Sequence, residues 1–261
     1  MVSRLTQMDE NNQKQQQYSA MTLGDHLHEL RLRVFLAMAG LAVAMVLCLF
    51  FGKTILEFLQ RPYFNVMGSS ANLITLKPTD GFVIYINTCL IAGVIIASPW
   101  IFYQIWMFIA AGLYRHERRY VYFTIPFSTA LFIAGALFFM FFVAPAALKF
   151  LVTFNKEFLD ITSSFTLRDY LSFIWVMVII FGLMFQTPIV VFFLNKTGLV
   201  SVEKMCKSRK YVLLGVFIVA AVIAPSPDLV CLFSLAIPMY LMFEVGILTI
   251  YMVNRRKVQK A

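Results

Sequence analysis

The sequence predicts an all-α polytopic membrane protein with six transmembrane helices and both termini in the cytoplasm. Hydrophobic residues make up 61% of the 261 residues and charged residues only 13%, and the mean hydropathy of +0.80 lies outside the balance of soluble proteins. A membrane span needs about 20 apolar residues, so this length accommodates about six spans with short loops. The apolar runs exceed the alternating segments of about 10 residues found in outer-membrane β-barrels, which favours helices.

The N-terminal region predicts a tail followed by a surface helix. Residues 1–21 are polar and rich in Gln and Asn, and they lack the early apolar core of a signal peptide. They predict a disordered cytoplasmic tail. In residues 22–33, apolar side chains recur at spacings of three and four, which predicts an amphipathic helix lying on the lipid headgroups before the first span. Residues 22–252 are expected to form one membrane domain, and residues 253–261 a basic cytoplasmic tail.

Long charge-free runs define the first four spans. The loop at 52–81 is expected to contain a short interfacial helix that ends at Pro62. The second run would be about 50 Å long as one helix, so it must tilt, bend near Pro99 or project from a core of about 30 Å. The four runs are residues 34–51, 82–114, 120–148 and 170–195.

The last two spans are expected to be short. Charged Lys210 and Asp228 enclose the fifth run, within which Pro225 and Pro227 must form a structural turn. A helix of about 14 residues is only about 21 Å long, so this end of the protein should thin the bilayer. The sixth run, residues 229–254, is interrupted by Glu244.

The distribution of basic residues gives the orientation. The N-terminal tail, the second and fourth loops and the C-terminus together hold 16 of the 22 Lys and Arg residues, and the other loops hold six. The positive-inside rule therefore places both termini in the cytoplasm. The net charge of +9 is explained mostly by topology, so we expect a lipid bilayer and no nucleic acid as its partner.

No catalytic or metal-binding motif occurs. The sequence contains no GxSxG, HExxH, Walker A or CxxC motif. His26 and His28 would lie on opposite sides of a helix, where they are poorly placed as joint metal ligands. We therefore predict a protein that is not an enzyme and that needs no cofactor or metal.

Two cytoplasmic glutamates are candidates for binding a cation. Glu117 lies in an Arg-rich cluster between two charge-free runs, so it belongs to a loop at the membrane surface. None of its neighbouring arginines is three or four residues away, so its carboxylate has no partner along a helix. Glu29 has Arg33 four residues on, but an exposed pair of this kind contributes only about 0.3–0.5 kcal/mol. For both glutamates, an ordinary solvated surface carboxylate remains the alternative.

Two polar residues are predicted near the membrane midplane. Gln186 and Glu244 each lie about ten residues from the cytoplasmic end of their runs. Polar groups at this depth bind a neighbouring helix, a partner helix or a substrate. Packing within the chain and a functional role are left open for both.

Six stretches, taken together, resemble the TatC family, the polytopic subunit of the twin-arginine protein translocase. The resemblance covers about residues 22–252, in order and at the family's spacing. The stretches are HLHELRLR at 26–33, PWIFYQIWMF at 99–108, GLYRHERR at 112–119, FQTP at 185–188, PSPD at 225–228 and IPMYLMFE at 237–244.

The resemblance implies a receptor and core scaffold that exports folded proteins with twin-arginine signal peptides across an energised membrane. Glu29 and Glu117 match the two glutamates assigned to the arginine pair. Gln186 matches a polar site facing partner helices, and the last two spans match the side where single-span TatB- and TatA-like subunits dock. An oligomeric receptor complex is implied, in the bacterial cytoplasmic membrane rather than the thylakoid. The residues expected to shape the signal-peptide site around the two glutamates are His26, Arg31, Arg33, Phe108, Tyr114, Arg115 and Arg119.

Two positions depart from the family pattern. The usual TEAFxxYxK stretch reads TDGFVIYIN at 79–87, so Asp80 keeps the acid while Asn87 replaces the lysine. Gln186 stands where many relatives have glutamate, and an amide cannot relay a proton. The alternative functions are a small-solute secondary transporter, suggested by Gln186 and Glu244, and, more remotely, an intramembrane hydrolase.

Overall fold

The computed structural model describes residues 23–68, 73–112, 118–158, 160, 165–198, 200–223 and 229–258, and these are almost entirely helical. An isolated β-bridge joins Ile74 and Thr166. The helices are α1 Leu23–Met67, α2 Asp80–Ala111, α3 Arg118–Phe138, a π-helical segment Phe139–Val143, α4 Ala144–Phe158, α5 Leu167–Met184, α6 Thr187–Lys196, α7 Val202–Lys207, α8 Arg209–Ile223 and α9 Leu229–Val258.

The described helices form the predicted six-span fold. Five helical stretches are long and apolar enough to cross a membrane: α1, α2, α3 through α4, α5 through α6, and α9. Helix α8 is the fifth span and has only 15 residues, or about 22 Å, as expected from the sequence. Helix α9 has 30 residues, so the shortness of this hairpin is confined to its first helix.

Helix α1 differs from its prediction at both ends. It is one continuous helix of 45 residues, so residues 23–33 run directly into the first span and do not form a separate helix on the headgroups. The predicted stop at Pro62 is also wrong, because Pro62 lies inside the helix. Packing explains why α1 continues past Pro62. Tyr63 is 1% exposed, and the hydroxyl of Tyr170 donates to the carbonyl of Leu59 at 2.8 Å.

The third and fourth spans contain irregular turns. The third continues through its π-helical segment to Phe158, ten residues beyond the predicted end. The fourth is interrupted at Phe185 and Gln186, where the chain turns before α6 begins at Thr187. Pro188 cannot donate the next helical hydrogen bond, which explains a break at this point. Pro99, in contrast, lies inside an unbroken α2.

The core is centred on α5. Leu171, Ile174 and Phe181 are fully buried and pack with Phe139 of the π-helical segment. Helix α3 crosses α5 closely at Gly135, where an added Cβ atom would lie 2.5 Å from the carbonyl oxygen of Phe181. Glycine is therefore required there by the closeness of the two backbones.

We expect the Gly135→Ala variant to destabilise the fold by about 1–3 kcal/mol, because the new methyl group overlaps a backbone atom that cannot move alone. Gly215→Ala in α8 is the matched control, since a Cβ atom there meets nothing within 4 Å. Thermal unfolding of both variants in detergent checks the prediction. Equal melting temperatures for the two variants would contradict it.

Candidate functional site

The beginning of α1 and the end of α2 meet at one end of the molecule. The imidazole ring of His26 stacks on Phe108, with ring centroids 4.5 Å apart and an interplanar angle of 27°. A Cβ atom added to Gly112, which follows α2, would lie 3.7 Å from Cε1 of His26. The chain therefore leaves α2 beside the first turns of α1.

Glu29, Arg33 and Gln104 form a chain of hydrogen bonds between these helices. Arg33 Nε donates to Glu29 Oε1 at 2.7 Å, which is the ion pair expected from the i,i+4 spacing. Arg33 Nη1 donates to Gln104 Oε1 of α2 at 3.0 Å. The side chains of Glu29 and Arg33 are each about one-fifth exposed, whereas Gln104 is 2% exposed. The pair is thus half-buried and anchored to α2.

The sequence did not single out Gln104 as a site residue. It lies in a charge-free run of α2 and is one of the few side chains there that can form strong hydrogen bonds. A buried amide in a span needs a partner on another helix, and this rule would have marked it. Its partner could not be named from the sequence, because Arg33 is 71 residues away.

Arg31 points away from the Glu29 pair. Its guanidinium lies 5.9 Å from the ring centroid of Phe35, at a distance that allows a cation–π contact. It also borders a shallow apolar groove on the outer face of α1 that is lined by Leu27, Leu30 and Val34. The described structure therefore separates Arg31 from Arg33.

Several predicted site residues fall outside the described part of the chain. These include Glu117, Tyr114 and Arg115 of the loop after Gly112. Helix α3 begins at Arg118, but the side chain of Arg119 is not described. The predicted structural turn at Pro225, Pro227 and Asp228 also lies outside these residues.

Gln186 is bound within the chain. Its Nε2 donates to the carbonyl of Ser128 in α3 at 3.0 Å. The hydroxyl of the same serine accepts from Trp106 Nε1 at 2.8 Å. Gln186 thus ties the break in the fourth span to α3, and Trp106 ties α2 to the same turn of α3.

Glu244 is also bound within the chain, which is one of the two alternatives that the sequence left open. Its carboxylate accepts from Arg209 at 2.7 Å and from the Tyr240 hydroxyl at 2.9 Å. Arg209 is the first residue of α8, so this ion pair joins the middle of α9 to the beginning of α8. Helix α9 continues through Glu244, because a paired carboxylate does not have to interrupt a span.

The arrangement can bind charged groups. A carboxylate, a guanidinium, a buried amide and an imidazole stacked on a phenyl ring lie together at the α1–α2 end. Among the described residues there is no group of three His, Cys, Asp or Glu side chains that could hold a metal ion. Recognition of a cationic partner through charge-assisted hydrogen bonds is the chemistry that these side chains support.

Comparison with known proteins gives one consistent result. The family model described as "Sec-independent protein translocase protein (TatC)" matches residues 25–238. The chain is 35% identical over 256 residues to the Sec-independent protein translocase protein TatC of Koribacter versatilis, covering 95% of this chain and 92% of that protein. It is 37% identical to the protein of the same name from Aquifex aeolicus, covering 92% and 100%.

Solved structures agree with the sequence comparisons. The crystal structure titled "Twin Arginine Translocase Receptor- TatC" superposes with a TM-score of 0.76 at 36% identity, over 88% of this chain and 99% of that chain. A second structure of this receptor, in the detergent DDM, superposes with a TM-score of 0.77 at 37% identity, over 86% and 98%.

We expect Glu244→Ala to destabilise the α8–α9 hairpin, because it leaves the Arg209 guanidinium without its carboxylate. Both side chains are partly exposed, so the loss should be about 1 kcal/mol. Glu244→Gln, which still accepts hydrogen bonds, should lose less. Thermal unfolding in detergent, with Glu203→Ala on the exposed surface of α7 as control, checks this order. A melting temperature for Glu244→Ala equal to that of the control would contradict the assignment.

Proposed function

The chain belongs to the TatC family of Sec-independent protein translocase proteins, and from this premise we propose that it is the signal-peptide receptor and core scaffold of a twin-arginine translocase. In this role it binds the Arg-Arg pair of a signal peptide with cytoplasmic glutamates and passes folded cargo across an energised membrane. It acts without catalysis, in the bacterial cytoplasmic membrane, in an oligomeric complex with single-span TatA- and TatB-like subunits. Gln186 and the last two spans are the proposed contact regions for these partner helices.

The position of Glu29 carries the proposal. His26, one helical turn before it, lies beside Gly112, and Glu117 is five residues farther along the chain. Five residues reach at most about 18 Å, so the chain length keeps Glu117 within that distance of Gly112. In this proposal, one extended peptide segment with adjacent arginines engages both carboxylates.

Glu29 is suited to a guanidinium because its pairing is incomplete. Within the described part of the chain, Arg33 occupies one oxygen of the carboxylate, and the other oxygen is open to a second donor. A guanidinium can approach with two parallel N–H groups, which an ammonium cannot do. The surrounding arginines repel ordinary cationic segments, so specificity depends on repulsion as well as on attraction.

Gln104 has a positioning role in this proposal. By accepting from Arg33 Nη1, it holds the guanidinium toward α2, so that only Nε is directed to Glu29. Without this anchor, Arg33 could turn and cover both oxygens of the glutamate. Arg33 would then compete with the incoming arginine.

The alternative of a small-solute transporter has less support. It rests on Gln186 and Glu244, and both have partners within the chain, Ser128 for the first and Arg209 for the second. A transport site needs polar groups that are free to exchange partners with a solute. Receptor function is therefore better supported than solute transport.

We expect charge reversal by Glu29→Arg or Glu117→Arg to reduce binding of a twin-arginine peptide by more than tenfold, since each replaces a charge-assisted bond with repulsion. The matched control is Glu57→Arg, on the exposed opposite end of α1. Photo-crosslinking in membrane vesicles, with a twin-lysine peptide alongside, provides the measurement. Unchanged crosslinking in the two glutamate variants would refute the receptor proposal.

For Gln104→Leu we expect about three- to tenfold weaker peptide binding, because Arg33 is released toward Glu29. Gln104→Glu keeps an acceptor for Arg33 and should restore most of the binding. In an Arg33→Leu background, Gln104→Leu should have no further effect, because it acts through Arg33. Additive losses in the double variant, measured by the same crosslinking titration, would show that Gln104 does not act through Arg33.

A further inference from the structure

Asp80, the acid of the TDGFVIYIN stretch, is a buried carboxylate at the outer end of α2. It is the first residue of that helix, and its side chain is only 4% exposed. Its Oδ2 accepts from the backbone nitrogen of Lys77 at 3.1 Å, and its Oδ1 accepts from Arg168 Nη1 of α5 at 3.1 Å. A buried charge is costly without such partners, so Asp80 depends on a residue from another helix.

The neighbouring charges have other roles. The carboxylate of Asp169 accepts from the Thr166 hydroxyl at 2.6 Å, at the N-cap of α5. The side chain of Lys77 is exposed, and its contact with Asp80 is made by its backbone nitrogen. The two acids and the two bases of this group balance, so it has no net charge with which to attract an ion. Its role is to join helices.

A backbone bridge lies beside the ion pair. The amide of Ile74 donates to the carbonyl of Phe165 at 3.4 Å, and the amide of Leu167 donates to the carbonyl of Ile74 at 2.9 Å. Residues 74–80 therefore form a strap on the outer surface that is fixed to the beginning of α5 at both its ends. The bridge holds the first residue of the strap, and the ion pair holds the last.

The ion pair lies above a lateral groove of about 380 Å³ between α2 and α5. Asn87 and Trp175 line the groove on opposite walls. Each lies seven residues after one member of the pair, Asp80 on α2 and Arg168 on α5, which is about two turns along the same helix face. The pair thus bridges the two helices where the groove ends at the outer surface.

We propose that the Asp80–Arg168 pair is a clasp that holds the outer ends of the second and fourth spans together and keeps the groove narrow. When the clasp opens, α2 and α5 separate at this level and the groove widens toward the bilayer. The clasp lies at the opposite end of α2 from Gln104, and it does not depend on what binds there.

The unequal exposure of the two partners predicts unequal effects of their loss. Arg168→Gln leaves a carboxylate that is 4% exposed without its counter-charge, and a buried charge without a partner moves toward water or draws water in. Asp80→Asn leaves a guanidinium that is 50% exposed and already solvated. The double variant leaves two amides, which can bond to each other. The groove should therefore widen most in Arg168→Gln.

Dipolar electron paramagnetic resonance tests this order, with nitroxide labels at Leu90 and Val176 on the two walls of the groove. The full chain is used in lipid nanodiscs, with its four native cysteines replaced by alanine. In Arg168→Gln, the population with the wild-type label separation should fall about twofold in favour of longer separations. Asp80→Asn and the double variant should both keep most of that population.

Lys77→Gln is the matched control, because it removes an exposed cation of the strap and leaves the backbone bond to Asp80 in place. The label separation in this control should equal that of the wild type. If Arg168→Gln does not fold, Arg168→Lys takes its place and should show a smaller shift, since an ammonium replaces the guanidinium. A separation equal to that of the control in the Arg168 variant would overturn the proposal. A double variant as wide as Arg168→Gln would also overturn it, because the unpaired buried charge would then not be the cause.

Discussion

The structure depends on the seam between α1 and α2, along which side chains of one helix bond to the backbone or side chains of the other. At one end, the Tyr85 hydroxyl donates to the carbonyl of Leu49. Near the other end, Trp100 Nε1 donates to the carbonyl of Leu36. Between them the backbones approach so closely that a Cβ atom on Gly93 would lie 3.1 Å from the backbone nitrogen of Met45. A helix as long as α1 is held in register by this seam, and the register brings Arg33 to Gln104.

The fold followed from the sequence because the bilayer imposes simple rules on composition. Charge-free runs fix the number of spans, and the distribution of Lys and Arg fixes their direction. The length of α8 followed directly from the charges and prolines that enclose its run. The same rules failed at Pro62, because they treat proline as a helix stop. They do not include the packing of Tyr63 and Leu59 that keeps α1 helical through this point.

Only part of the candidate site could be predicted from the sequence, for a related reason. Spacing along one helix identified the pair of Glu29 and Arg33, since residues four apart are neighbours on any helix. Contacts between helices depend on register and crossing angle, which spacing does not contain. Gln104 was therefore missed, and Arg209 was not identified as the partner of Glu244. Both omissions concern a partner on another helix.

Polar groups in and near the spans of this chain fall into two kinds, and the difference bears on function. Gln186 and Glu244 have partners within the chain, and their hydrogen bonds hold helices together. Glu29, in contrast, keeps one carboxylate oxygen without a donor among the described residues, at the end of the molecule where α1 and α2 meet. An unsatisfied hydrogen-bonding group costs free energy in a low-dielectric environment. Such a group therefore persists where a bound partner can supply the missing hydrogen bond. A cationic partner is therefore best sought at Glu29, where a hydrogen bond remains to be made.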